Sequence, residues 1–160
     1  MFKISKLADY ATLLMTYFAR QDEQQQFAGN ARHIAEATGL TLHTVRKLLK
    51  MLAKAQLLVS QRGSKGGYRL ARPASAISVA QVIEAIEPSH GLTECSEKLG
   101  SCALEPICHM QHNWRIINQA IHAAIDSVTL ADLAKPVVSN TVISVDKIKY
   151  LVGTGHGKSN

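Results

Sequence analysis

The sequence has little of what would mark a disordered, membrane-spanning or exported chain. Only four of its 160 residues are proline and 19% are Asp, Glu, Lys or Arg, against 46% hydrophobic residues, so it can bury a core. No apolar run approaches the roughly 20 residues that cross a bilayer. The nearest stretch to a signal sequence, Tyr10 to Ala19, follows Asp9 and has no small-residue cleavage site. These absences point to a soluble, cytoplasmic protein with no membrane partner. A mass of 17.4 kDa excludes a large multidomain enzyme. No Ser-His-Asp arrangement or His-Glu-x-x-His occurs, and Gly63-Ser64-Lys65-Gly66-Gly67 lacks the spacing of a nucleotide-binding loop. The chain is therefore read as a non-enzyme, with no catalytic residues and no small-molecule substrate.

Cysteine is scarce and odd in number: Cys95, Cys102 and Cys108 are clustered. A structural disulfide framework is disfavoured, and a metal or redox site is favoured. The spacing is too wide for paired Cys-x2-Cys zinc knuckles, and a single chain has no fourth cysteine to close an all-thiolate site. A fourth ligand must come from elsewhere, with Asp9, His109, Gln111, His112 or a small exogenous molecule as the choices.

Positive charge is confined to one half. Residues 1–72 carry 12 Lys/Arg and 4 Asp/Glu, a balance of +8, whereas residues 73–160 carry 6 and 8, a balance of −2. Such asymmetry suggests that the first half meets a polyanion, although a solvated basic face would look the same in composition. The pattern of elements favours the polyanion. Leu7, Ala11, Leu14 and Phe18 predict an amphipathic helix from near Ser5 that ends before the polar run Arg20 to Gln26. Asn30 caps a short helix through Ala37 that stops at Gly39, and Thr41 caps a longer one from Leu42 to about Ala55.

On that last helix Val45, Leu48, Leu49 and Leu52 form the buried stripe. His43, Thr44, Arg46, Lys47, Lys50 and Lys54 are left on the outer faces, as on a recognition helix that enters a major groove. Two short strands around the glycine-rich turn 61–67 then make a hairpin, with Arg62 and Lys65 at its tip, like the wing of a winged-helix module that grips phosphate. Double-stranded DNA is the implied partner.

Beyond Pro73, Ser78 to Gln81 reads as a capping box opening a helix through Ile86, followed by the cysteine-bearing loop. A further helix from Trp114 to about Val128 carries Trp114, Ile117, Ile121, Ala124 and Val128 at steps of three and four, a coiled-coil seam suited to two-fold dimerisation. The expected fold is mainly α: a winged helix-turn-helix domain with a two-stranded wing over 1–73, a cysteine loop and long C-terminal dimerisation helix over 74–135, and a flexible tail over 136–160.

These residues resemble the Rrf2 family of bacterial winged-helix regulators over about 1–135. The resemblance rests on Ile4 to Ala11, the wing Arg62 to Leu70, the three cysteines and the closing Thr129-Leu130-Ala131-Asp132-Leu133. It implies a homodimer with an iron–sulfur cluster on Cys95, Cys102 and Cys108, 2Fe–2S rather than 4Fe–4S, and DNA affinity set by cluster state. Within the family the chain is most similar to regulators of Isc- and Suf-type cluster assembly operons, which implies a repressor of those genes. Nitric-oxide-sensing repressors are the next most similar.

Two departures stand out. Gln111 occupies the position where the Isc-type branch has histidine, and Arg46 stands where that branch reads bases with an acidic residue, so target preference should differ. Asp9 holds the position from which the nitric-oxide-sensing branch supplies a carboxylate across the dimer, which makes it the favoured fourth ligand. Two cluster-free alternatives remain: a zinc-stabilised DNA-binding module and a thiol-switch regulator.

Overall fold

A computed structural model of the protein describes residues 4–22, 29–61, 63, 66–88, 91–93, 102–104 and 107–136. Helix α1 (Lys6–Asp22) leads to α2 (Ala31–Thr38) and α3 (Leu42–Lys54), then to the antiparallel hairpin β1 (Leu58–Gln61) and β2 (Gly67–Leu70). A short 3-10 turn (Ala74–Ala76), α4 (Val79–Ile86), α5 (Gln111–Asp126) and α6 (Leu130–Ala134) follow. This is a mainly helical winged-helix arrangement, as the sequence led us to expect. Among the described residues, no helix is long and apolar enough to cross a membrane.

The caps explain where the helices start. Asn30 accepts from the backbone N–H groups of Arg32 and His33, Gly39 ends α2 in the left-handed region (φ 72°), and the Thr41 side chain accepts from Thr44 N–H. Ser78 and Gln81 form the reciprocal capping box of α4. The end of α3 differs from the glycine stop of α2. Gln56 takes φ 58°, with Gln56 N–H donating to Ala53 and Leu57 N–H to Leu52, a Schellman ending built without glycine.

Two helix boundaries depart from expectation. Helix α1 continues through Arg20 and Gln21 to Asp22, because no glycine or proline interrupts it and Phe18 and Ala19 are still buried near its end. Helix α5 begins at Gln111, three residues before Trp114, and ends at Asp126; its polar first turn leaves no apolar mark on the sequence. Val128 therefore lies beyond the helix, where its carbonyl accepts from Val79 N–H at 2.9 Å. The tail 137–160 lies outside the described residues.

The chain divides into two units. The first joins residues 1–90 to 128–136, and the second contains 91–127. The first extends past the expected boundary at Pro73 because α1 packs against both α4 and α6. Ala8, Ala11, Leu14, Met15 and Phe18 of α1 are buried, as are Val82, Ile83 and Ile86 of α4 and Leu130 and Ala134 of α6. Helix α6 opens with its own capping box, Thr129 with Asp132, and Ser78 pairs with Thr129 as an isolated antiparallel bridge, so α4 and α6 start side by side.

Candidate nucleic-acid interface and cysteine segment

The interface is built on α3. Val45, Leu48, Leu49 and Leu52 are all buried, which fixes the roll of the helix and turns His43, Arg46, Lys47 and Lys50 to solvent. Lys54 is exposed at the last turn, where a cation also suits the helix dipole. Thr44 is half-buried, and its hydroxyl lies 2.9 Å from that of Thr41. One face of α3 thus carries a dense row of cations around a short polar end, the pattern that sets phosphate contacts beside base-edge donors. Arg62 and Lys65 lie outside the described residues.

Two further features belong to this face. Arg32 is exposed on the first turn of α2, a position legible from the burial of Ile34 and Ala35 on the opposite side. The hairpin base rests on the backbone just before α2: a Cβ built at Gly67 would lie 2.6 Å from the Gly29 carbonyl oxygen. That contact joins positions far apart in sequence, and no local pattern announces it.

In the second unit, Cys102 and Cys108 are free thiols, both half-buried. His109 and His112 are exposed, and Gln111 is half-buried. Cys95 lies outside the described residues. Among the described residues, no three of His, Cys, Asp and Glu converge to hold a metal ion. Asp9 is exposed in the first turn of α1, in the first unit. As donors, the cysteines fit a soft metal centre: two uncommitted thiols, with a third close in sequence, are the ligand type that iron–sulfur clusters, zinc and copper(I) take.

A family model described as Rrf2, iron-dependent transcriptional regulator, matches residues 4–136. The chain belongs to the Rrf2 family. It is similar to the HTH-type transcriptional regulator NsrR of Oceanobacillus iheyensis, with 32% identity over 82% of this chain and 89% of that protein. It is also similar to the HTH-type transcriptional regulator IscR of Vibrio campbellii, with 31% identity over 99% of this chain and 91% of that one. Among solved structures, CymR, the global cysteine regulator of B. subtilis, matches with a TM-score of 0.64 at 28% identity, covering 84% of this chain and 97% of that one. T. potens IscR matches with the same score and identity, covering 88% and 91%. The protein is a DNA-binding transcriptional regulator and not an enzyme, in keeping with its Rrf2 relatives.

Proposed function

We propose that the protein is a homodimeric, cytoplasmic repressor that reports iron–sulfur cluster status through Cys95, Cys102 and Cys108 and controls cluster assembly genes. The observation that carries this reading is the pair of free, half-buried thiols Cys102 and Cys108 in the unit that also holds α5. The likeness to IscR and NsrR supports it. A cluster bound there, 2Fe–2S rather than 4Fe–4S, supplies a thiolate-held centre sensitive to oxygen, nitric oxide and iron supply. The three cysteines hold it, and Asp9 of the second copy is the favoured fourth ligand, since the Gln111 amide is a poor iron ligand beside carboxylate or imidazole.

The DNA contacts fall to the exposed face of α3 and to the wing. His43, Thr44 and Arg46 meet base edges; Lys47 and Lys50, with Arg62 and Lys65 of the wing, meet phosphate. Dimerisation falls to α5, where no residue is buried and Ile116 and Ile117 are each 40% exposed. Because the cysteine segment lies between α4 and α5 in the chain, a change in what its thiols hold alters the link between the DNA-binding unit and the dimer helix.

Anaerobic purification with an absorbance spectrum and iron, sulfide and zinc counts tests the proposal. The expected protein is coloured, with iron and sulfide in equal amounts, and each of Cys95→Ser, Cys102→Ser and Cys108→Ser is colourless. Stoichiometric zinc without sulfide overturns it in favour of a structural metal. The likeness to CymR favours a second reading, a thiol switch without metal, which would show no metal and a reversible disulfide. For the fourth ligand, Asp9→Ala should speed bleaching in air; if His109→Ala or His112→Ala does so instead, Asp9 is not the ligand.

A further inference from the structure

Gly67, the first residue of β2, is buried and sits on the main chain that enters α2. A Cβ built there would lie 2.6 Å from the carbonyl oxygen of Gly29, 3.0 Å from its carbonyl carbon and 3.3 Å from its Cα. All three atoms are backbone, so no side chain can swing aside to make room. Gly29 is itself confined: it takes φ 81°, and a Cβ at that position would meet the His33 ring at 2.9 Å. The next residue, Asn30, is locked as the cap of α2, accepting from Arg32 N–H at 3.0 Å and His33 N–H at 3.1 Å.

The wing end of this contact is the softer one. The hairpin has only two strands, with Gln61 opposite Gly67 at the end of the ladder nearest the turn, whereas its other end is tied to the core by Ala71 N–H donating to Leu57. Any group inserted between Gly67 and Gly29 therefore tilts the turn end of the hairpin and leaves α2 and α3 in place.

We infer that the Gly67–Gly29 backbone seat fixes the angle between the wing and the helix-turn-helix, making Gly67 a positioning residue for DNA binding. This rests on the reading that the wing touches DNA. The seat acts through geometry alone, since neither glycine has a side chain to offer the duplex. It also limits how far the wing can adapt: a backbone-to-backbone contact permits one approach distance, where a side-chain contact would permit several rotamers.

The test uses the full-length chain and a duplex selected by the wild-type protein from a random-sequence pool. Affinity is titrated over a range of salt for wild type, Gly67→Ala, Arg62→Ala, Lys47→Ala and the two double variants with Gly67→Ala. Circular dichroism melting is run on each. Gly67→Ala should keep a cooperative melt, weaken binding about tenfold and flatten the salt dependence as Arg62→Ala does. Combined with Arg62→Ala it should add little; combined with Lys47→Ala it should add its full effect. Wild-type affinity for Gly67→Ala overturns the inference. So does additivity with Arg62→Ala, or loss of the cooperative melt, which would make the seat part of the core. If Arg62→Ala leaves affinity and salt slope unchanged, the wing reading itself fails, and a loss seen only in Gly67→Ala would then act through α2.

Discussion

The two units close their apolar surface in opposite ways. In the first, each helix finds its partner within the chain: α1, α3 and α4 bury their stripes, and Phe18, Leu14, Leu48 and Leu52 are essentially inaccessible. In the second, the sixteen-residue α5 carries Trp114, Ile116, Ile117, Ile121 and Ile125 and buries none of them. A helix with that much apolar surface and no buried residue is built for a surface that its own chain does not provide. The first unit is thus a finished fold and the second an interface, so substitutions of like size should act on different observables in the two.

The largest expected effect is in the first unit. Phe18→Ala opens a cavity where the ring is 2% exposed and should lower unfolding stability by about 3–5 kcal/mol in a denaturant titration. A loss under about 1 kcal/mol would show that this core is not closed. Next comes the cap of α6. The Thr129 hydroxyl, then the Lys135 ammonium, hold the Asp132 carboxyl down from 3.8 to about 2.

The folded value lies below the unfolded one, so this stabilisation is complete above the ordinary carboxylate range and is lost as pH falls from about 4 towards 2. Thr129→Ala should cost about 1 kcal/mol at neutral pH and flatten the acid limb of the melting profile. An unchanged acid limb would remove Asp132 from the account. The Lys135 pair itself, with both side chains largely in solvent, adds little.

A smaller change of opposite sign is expected at Gln56. Glycine relieves the left-handed backbone there, and Gln56→Gly should raise stability by roughly 0.5–1 kcal/mol. A drop in the melting temperature would mean that the Gln56 side chain holds something that outweighs the strain. The smallest folding effect belongs to the second unit: Ile117→Ala should shift unfolding by less than about 0.5 kcal/mol. It should instead raise the concentration at which the protein dissociates in sedimentation velocity. If it destabilises folding and leaves association unchanged, the contrast between the units disappears.

The parts of the fold that could be read from sequence are those whose causes lie within a few residues. The Asn30 and Thr41 caps, the Ser78 to Gln81 box and the stripe of α3 each need only one turn of helix to be seen. Thr129-Leu130-Ala131-Asp132 has the same form and could have been read as a cap, but Leu130 is buried only because α1 lies across it. The start of α5 was missed because polar Gln111, His112 and Asn113 carry no periodicity. For the candidate site, exposure of His43, Arg46, Lys47 and Lys50 followed from the stripe opposite them. The Gly67 seat did not, since it depends on where two distant glycines meet, and neither did a fourth ligand, which has to come from outside the cysteine cluster.

The bridge between Ser78 and Thr129 has a consequence for how such a regulator can change over evolutionary time. The chain leaves the first unit after α4 and comes back beside the start of that same helix, with Val79 N–H on the Val128 carbonyl and Leu130 N–H on the Ile77 carbonyl. Residues 91–127 are therefore an insertion between two fixed anchor points. Segments held in this way can lengthen, shorten or be exchanged without re-registering the scaffold that holds them. One DNA-reading scaffold can in this way acquire a different sensor by replacing a single continuous stretch of gene.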